Sequence, residues 1–179
     1  MIKRVLKDIK IAYNSKAYFS ALALTLTIPD IRGKIQYKNN SNLKDREKYI
    51  KWFDEWIKEY FEIPKPKNEM FEDFDVLAKS DGEVCYALRC AYLHSGNYDL
   101  KAHGKDNIKL DRFELCVSDG EWQFGDAHGC SMCDGEIEEV HRRFNVINLI
   151  EAFIDGMEEY IKAYGDTSNE YATMGIIII

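Results

Sequence analysis

Apolar residues recur at helical spacing from the amino terminus. Ile2, Val5, Leu6, Ile9 and Tyr13 fall on one face, which predicts a helix over residues 2–13. A second helix is predicted over 16–36. Ala21, Leu22, Leu24, Leu26 and Ile28 make it apolar nearly all round, the pattern of a central and most buried helix. Pro29 removes a backbone donor and is expected to kink it, and Gly33 to weaken it further. After a polar stretch at 38–42, Tyr49, Trp52, Phe53, Trp56, Ile57 and Tyr60 return at i, i+3, i+4 and i+7. They predict a third helix near 43–61, ended by Pro64 and Pro66. Residues 67–79 read as a loop with a short helical turn around 70–77.

Ser80-Asp81-Gly82-Glu83 has the form of a capping box, with Ser80 as N-cap and Glu83 three residues on. The helix it opens runs through Val84, Leu88 and Ala91 and stops at Ser95-Gly96-Asn97, where Gly96 suits a left-handed C′ position. The period then changes from helical to two. Phe113, Leu115 and Val117 alternate with Arg112, Glu114 and Cys116, predicting a strand over 111–117. Ser118-Asp119-Gly120 is a turn signal, 121–124 is placed to pair back, and 136–142 reads as another strand. Asn145 then caps a long helix over 146–164 that buries Leu149, Ile150, Phe153, Met157 and Ile161, with Gly165 after it. The expectation is a mainly α chain: a bundle of about five helices with a small antiparallel β-hairpin inserted before the last. Residues 1–165 form one domain, and 166–179 read as a frayed tail.

Composition narrows the functional classes. At 179 residues, 46% hydrophobic, the chain supports its own core without staples. A formal net charge of −7 disfavours a high-affinity, sequence-blind nucleic-acid coat, so any RNA binding is expected to be local. The longest apolar run, 21–28, is too short to span a bilayer. No signal-peptide pattern opens the chain, and five cysteines is an odd number. The expected setting is therefore a reducing cytoplasm, with no membrane role.

The candidate chemistry sits at the end of the fourth helix. Arg89 and His94 are five residues apart, hence about 140° around an α-helix, on adjacent sides. One helix alone makes a poor site, whereas two copies across a two-fold axis gather both pairs round one cleft. Imidazole titrates near neutrality and moves protons, while guanidinium stays charged and holds a phosphate through two donors. Together they suit RNA cleavage by the substrate's own 2′-hydroxyl, with no metal or cofactor. The plain alternative pairs Arg89 with Glu83 or another neighbouring acid and leaves His94 as a polar helix end.

The run from Tyr86 to Asn97, YALRCAYLHSGN, resembles the Arg-x4–6-His segment of HEPN domains, helical-bundle proteins found among toxins and abortive-infection nucleases. The resemblance implies a homodimeric, metal-independent endoribonuclease acting as a toxin or a phage-defence or stress effector. Arg89 and His94 would be its catalytic pair and RNA its substrate, with an antitoxin or other regulatory protein as a further partner. Cys90 stands where such proteins often carry a polar residue, commonly Asn. Gly96 stands where some partnered toxins carry a modified tyrosine. Glu83 and Asn97 are candidates to orient the pair or the substrate, and Lys101 and His103, in a Lys-Ala-His-Gly-Lys loop, to contact phosphate. The competing reading is a non-catalytic module of the same fold that binds a protein or a nucleotide.

Two other groupings carry chemistry on paper. Cys130 and Cys133, with His128 and Cys116, offer four soft zinc ligands, although only one clean Cys-x2-Cys is present and metal is not favoured. Asp134, Glu136, Glu138 and Glu139 form an acidic patch best read as a solvated strand edge. The Trp52, Phe53, Trp56 stripe has the spacing of a core or dimer face, not a base-stacking platform.

Overall fold

The computed structural model describes residues 2–61, 81–95, 112–118, 127–133 and 136–165; for Phe61, His94, Ser95, 127–133 and 136–141 this covers the backbone alone. The chain is mainly helical, with five α-helices and one small sheet among the described residues. In order these are α1 (Ile2–Asn14), α2 (Tyr18–Gln36), α3 (Asp45–Trp56) followed by a 3-10 turn (Lys58–Phe61), and α4 (Gly82–Cys90). A π-helical turn (Ala91–Ser95) then leads on to β1 (Arg112–Cys116), β2 (Ala127–Cys133), β3 (Glu136–Asn145) and α5 (Val146–Tyr164). The expected turn near 70–77, the strand at 121–124 and the tail at 166–179 fall outside the described residues.

The core is built between α2, α3 and α5. Trp52 and Phe53 of α3 are buried, with ring centroids 5.5 Å from Tyr160 and 5.6 Å from Phe153 of α5. Rings this large dominate burial energy. Two glycines let the helices close. A Cβ on Gly156 would lie 2.2 Å from the Trp56 carbonyl oxygen, and one on Gly33 would lie 2.5 Å from that of Lys48. Gly33 was expected merely to weaken α2; it is the point where α3 reaches α2's backbone.

α2, expected to be the central and most buried helix, buries one side. Ala21, Leu22, Thr25, Leu26, Ile28, Pro29, Arg32 and Gly33 are buried on one side. At 100° per residue the remainder share the opposite arc. There Phe19 is 56% exposed, Leu24 is 37% exposed, and Ala23, Thr27, Asp30 and Ile31 are half-buried. Arg32 is buried on the inner side with its guanidinium 4.7 Å from the Tyr160 ring centroid, a cation–π arrangement. Pro29 is accommodated within the helix, which continues to Gln36.

The sheet differs from the expected hairpin. Its order is β1-β3-β2. β2 and β3 are antiparallel, but β1 runs parallel to β3, from Arg112 opposite His141 to Cys116 opposite Asn145. A parallel partner requires a crossover, and the chain supplies it by passing through β2 on the far side of β3. Alternation of side chains identifies a strand without identifying its neighbour, so β1's pairing was not visible in the sequence. β3 passes into α5 with no intervening residue. Asn145 Oδ1 accepts from Ile147 N at 3.2 Å and Ser118 N at 3.4 Å, while its Nδ2 donates to Ser118 O at 2.9 Å.

Candidate active site at the end of α4

α4 starts one residue later than the capping box implied. Asp81 is the N-cap, its Oδ1 accepting from Val84 N at 3.1 Å, whereas Ser80 lies outside the described residues. Asp54 of α3 adds a second anchor, accepting from Gly82 N at 2.7 Å. Burial raises the pKa of the Asp54 carboxyl while this backbone bond lowers it, and the balance is upward. Val84, Cys85, Ala87 and Leu88 face the core and leave Arg89 and Cys90 half-buried on the outer side.

Arg89 is held by Asp30, a residue the sequence reading did not single out. Its Nε and Nη2 donate to Asp30 Oδ2 at 2.9 and 2.8 Å, and the two side chains are 18% and 21% exposed. Partial burial works against the guanidinium charge, yet Asp30 and Cys90 together outweigh it and raise the Arg89 pKa overall. Arg89 Nη1 lies 4.0 Å from Cys90 Sγ. The ring of Tyr86 sits between two cations, 5.9 Å from the Arg89 guanidinium carbon and 5.8 Å from that of Arg46. Beyond it Tyr92 Oη donates to Phe19 O at 3.0 Å, tying the end of α4 to the start of α2.

After Cys90 the helix widens. Residues 91–95 form a π-helical turn, in which i→i+5 bonding replaces i→i+4. More residues per turn means less rotation per residue. Position 94 therefore comes round closer to the side of position 89 than the 140° of a regular helix allows. Such turns are rare and recur at functional sites. Nothing in the residue pattern announced it.

The secondary candidates fare differently. Glu83 is ion-paired with Arg46 of α3. The neighbouring acid of the plain alternative is Asp30, from 59 positions earlier. Its only local signal was a lone carboxylate in the apolar stretch Ile28-Pro29-Asp30-Ile31. Asn97, Lys101 and His103 lie outside the described residues. Cys116 cannot join the proposed zinc set. It pairs with Asn145 on one side of β3, while Cys130 pairs with Val140 on the other, five residues back. That is about 16 Å along the strand, far beyond the reach of ligands sharing one tetrahedral ion. Cys116 Sγ instead faces Phe144 O at 3.5 Å. His128, opposite Arg142, and Cys133, opposite Glu136, are placed by backbone register alone. Among the described residues no three His, Cys, Asp or Glu side chains gather as a metal site, and no helix is long and apolar enough to cross a membrane.

No family model, curated protein or solved structure matches the chain.

Proposed function

We propose that this chain is a metal-independent endoribonuclease of the HEPN type, working as a homodimer and serving as a toxin or a defence or stress effector. The observation that carries the reading is the π-helical turn at 91–95, which draws position 94 toward the side from which Arg89 is presented. Asp30 supports it by fixing the plane of the guanidinium. A guanidinium has five N–H donors and Asp30 engages two of its nitrogens, so a phosphate adds to the ion pair without displacing it. In the proposed reaction His94 takes the proton from the 2′-hydroxyl, whose oxygen attacks the adjacent phosphorus. The bond to the 5′-oxygen breaks, that oxygen regains a proton, and a 2′,3′-cyclic phosphate remains. Arg89 offsets the charge that gathers on the phosphoryl oxygens.

The dimer reading is favoured by the outer face of α2. Phe19, Leu24 and Ile31 lie on the same arc as Asp30, so apolar surface borders the Arg89 ion pair and offers a second copy a place to pack. The rival reading, a binding module without catalysis, draws on the same ion pair, because a guanidinium held by its own carboxylate is also a structural one. Cleavage of single-stranded RNA in the presence of a chelator separates the two. Cyclic-phosphate ends are expected from the parent chain and from neither Arg89→Ala nor His94→Ala, with both variants folded. A purified dimer that leaves RNA intact, or variants that cut as well as the parent, would remove the enzyme reading.

A further inference from the structure

α1 is cationic in an acidic chain, with Lys3, Arg4, Lys7 and Lys10 against Asp8 alone. Three of these form a row. Lys3, Lys7 and Lys10 stand at i, i+4 and i+7, and Asn14 continues the line, so they share one side of the helix over about 16 Å. With Leu6 and Ile11 between them, they line an open groove of about 490 Å³ against the end of α5, where Glu158, Ile161 and Lys162 form the other wall. Lys10 is ion-paired with Glu158, which lowers the Glu158 carboxyl pKa, and Lys162 with Glu159 at 2.6 Å. Lys3 and Lys7 are exposed and line the same groove.

We propose that this groove carries the sugar–phosphate backbone of single-stranded RNA on its way to the Arg89 segment, an inference that rests on the ribonuclease reading. The charge row fits a polyanion with regularly repeating phosphates. A lipid surface fits poorly, because the apolar side of α1 (Ile2, Leu6, Ile9) is already buried in the bundle and Ile11, 54% exposed, is the one large apolar side chain left on the outside of this helix. The far end of the row also leads to the right place. Asn14 adjoins the α1–α2 corner, where the Tyr13 and Tyr18 rings meet at 5.8 Å. The next residue, Phe19, receives the bond from Tyr92, three positions after Arg89. An anionic strand leaving the lysine row thus meets the candidate cleavage segment.

The test uses the full chain and a fluorescent single-stranded oligonucleotide bearing 2′-O-methyl groups throughout, which cannot be cut through the 2′ position. Anisotropy is expected to show binding that weakens steeply with salt. K3E/K7E is expected to weaken it about tenfold or more and to flatten the log–log salt slope by about 1.4, the share of two phosphate contacts on a single strand. K3Q/K7Q, which removes charge without adding repulsion, should fall between. Parent-like binding by K3E/K7E, or binding of anionic phosphatidylserine vesicles in place of the oligonucleotide, would overturn the groove. If binding depends on the lysines but unmodified RNA stays whole, the groove stands and the ribonuclease reading falls.

Discussion

The seam between α3 and α5 and the seam between α2 and α4 are built on opposite plans. At the first, Trp52, Phe53 and Trp56 interlock with Phe153 and Tyr160 over a glycine that admits backbone contact. At the second, helical regularity ends in a π-helical turn, a charged pair bridges the two helices, and apolar residues on α2's outer arc meet solvent. Large buried rings dominate the first seam, and the candidate chemistry is placed where the chain gives up regular packing. Sites that must present charge are commonly drawn from such less densely packed regions.

The contrast is open to measurement. Phe153→Ala should be the most damaging change, costing about 3–5 kcal/mol through lost burial and the cavity left behind; chemical denaturation reads it directly, and a cost below about 1 kcal/mol would contradict a ring-dominated seam. Asp30→Asn should cost about 1.5–3 kcal/mol, the range for a bond to a charged group. It should also reduce RNA cleavage more than it reduces oligonucleotide binding, because Asp30 orients Arg89 without touching the lysine groove; an equal loss of both would return Asp30 to a purely structural role. Phe19→Ser should change monomer stability by no more than about 0.5 kcal/mol, as expected for an exposed position. If α2's outer face packs on a second copy, light scattering should show the dimer of this variant dissociating at higher protein concentration than the parent's.

The gentlest probe compares two thiols of one helix. Cys85 is fully buried beside Tyr49, and burial pushes its pKa up to about 12. Cys90, five residues on, is half-buried beside Arg89. Brief alkylation at pH 8 followed by peptide mapping should label Cys90 and spare Cys85. The sign for stability follows. From about pH 9, the ordinary thiol value, to about 12, the unfolded chain releases this proton while the native chain keeps it. The Cys85 contribution is therefore full below pH 9 and declines as pH climbs through that interval.

Periodicity exposed what is periodic. Residues 146–164 match α5 residue for residue because Asn145, the buried Leu149, Ile150, Phe153 and Met157, and Gly165 all mark the same helix; Ile161, expected to be buried with them, is half-buried, and Gly165 adopts a φ of 69°. Arg89 could be singled out because its chemistry is carried by residue type and spacing. Asp30 could not, since its role depends on a contact spanning 59 positions. The π-helical turn depends on a wider hydrogen-bonding pattern that leaves the hydrophobic pattern of Tyr92 and Leu93 nearly unchanged. β2 was hidden because Ala127–Cys133 alternates neither in size nor in polarity, and its cysteines drew attention to zinc instead of to β3.

One side chain fixes how the last helix is set. Asn145 belongs at once to the end of β3, the cap of α5 and, through Ser118, the exit from β1. Sliding β1 by a single residue would part Ser118 from Asn145, and advancing the strand-to-helix junction by one would turn α5 by about 100°. Phe153 and Tyr160 would then swing away from α3. The three-stranded sheet thus acts as an indexing stop for the rotational setting in which α5 turns Phe153 and Tyr160 toward α3.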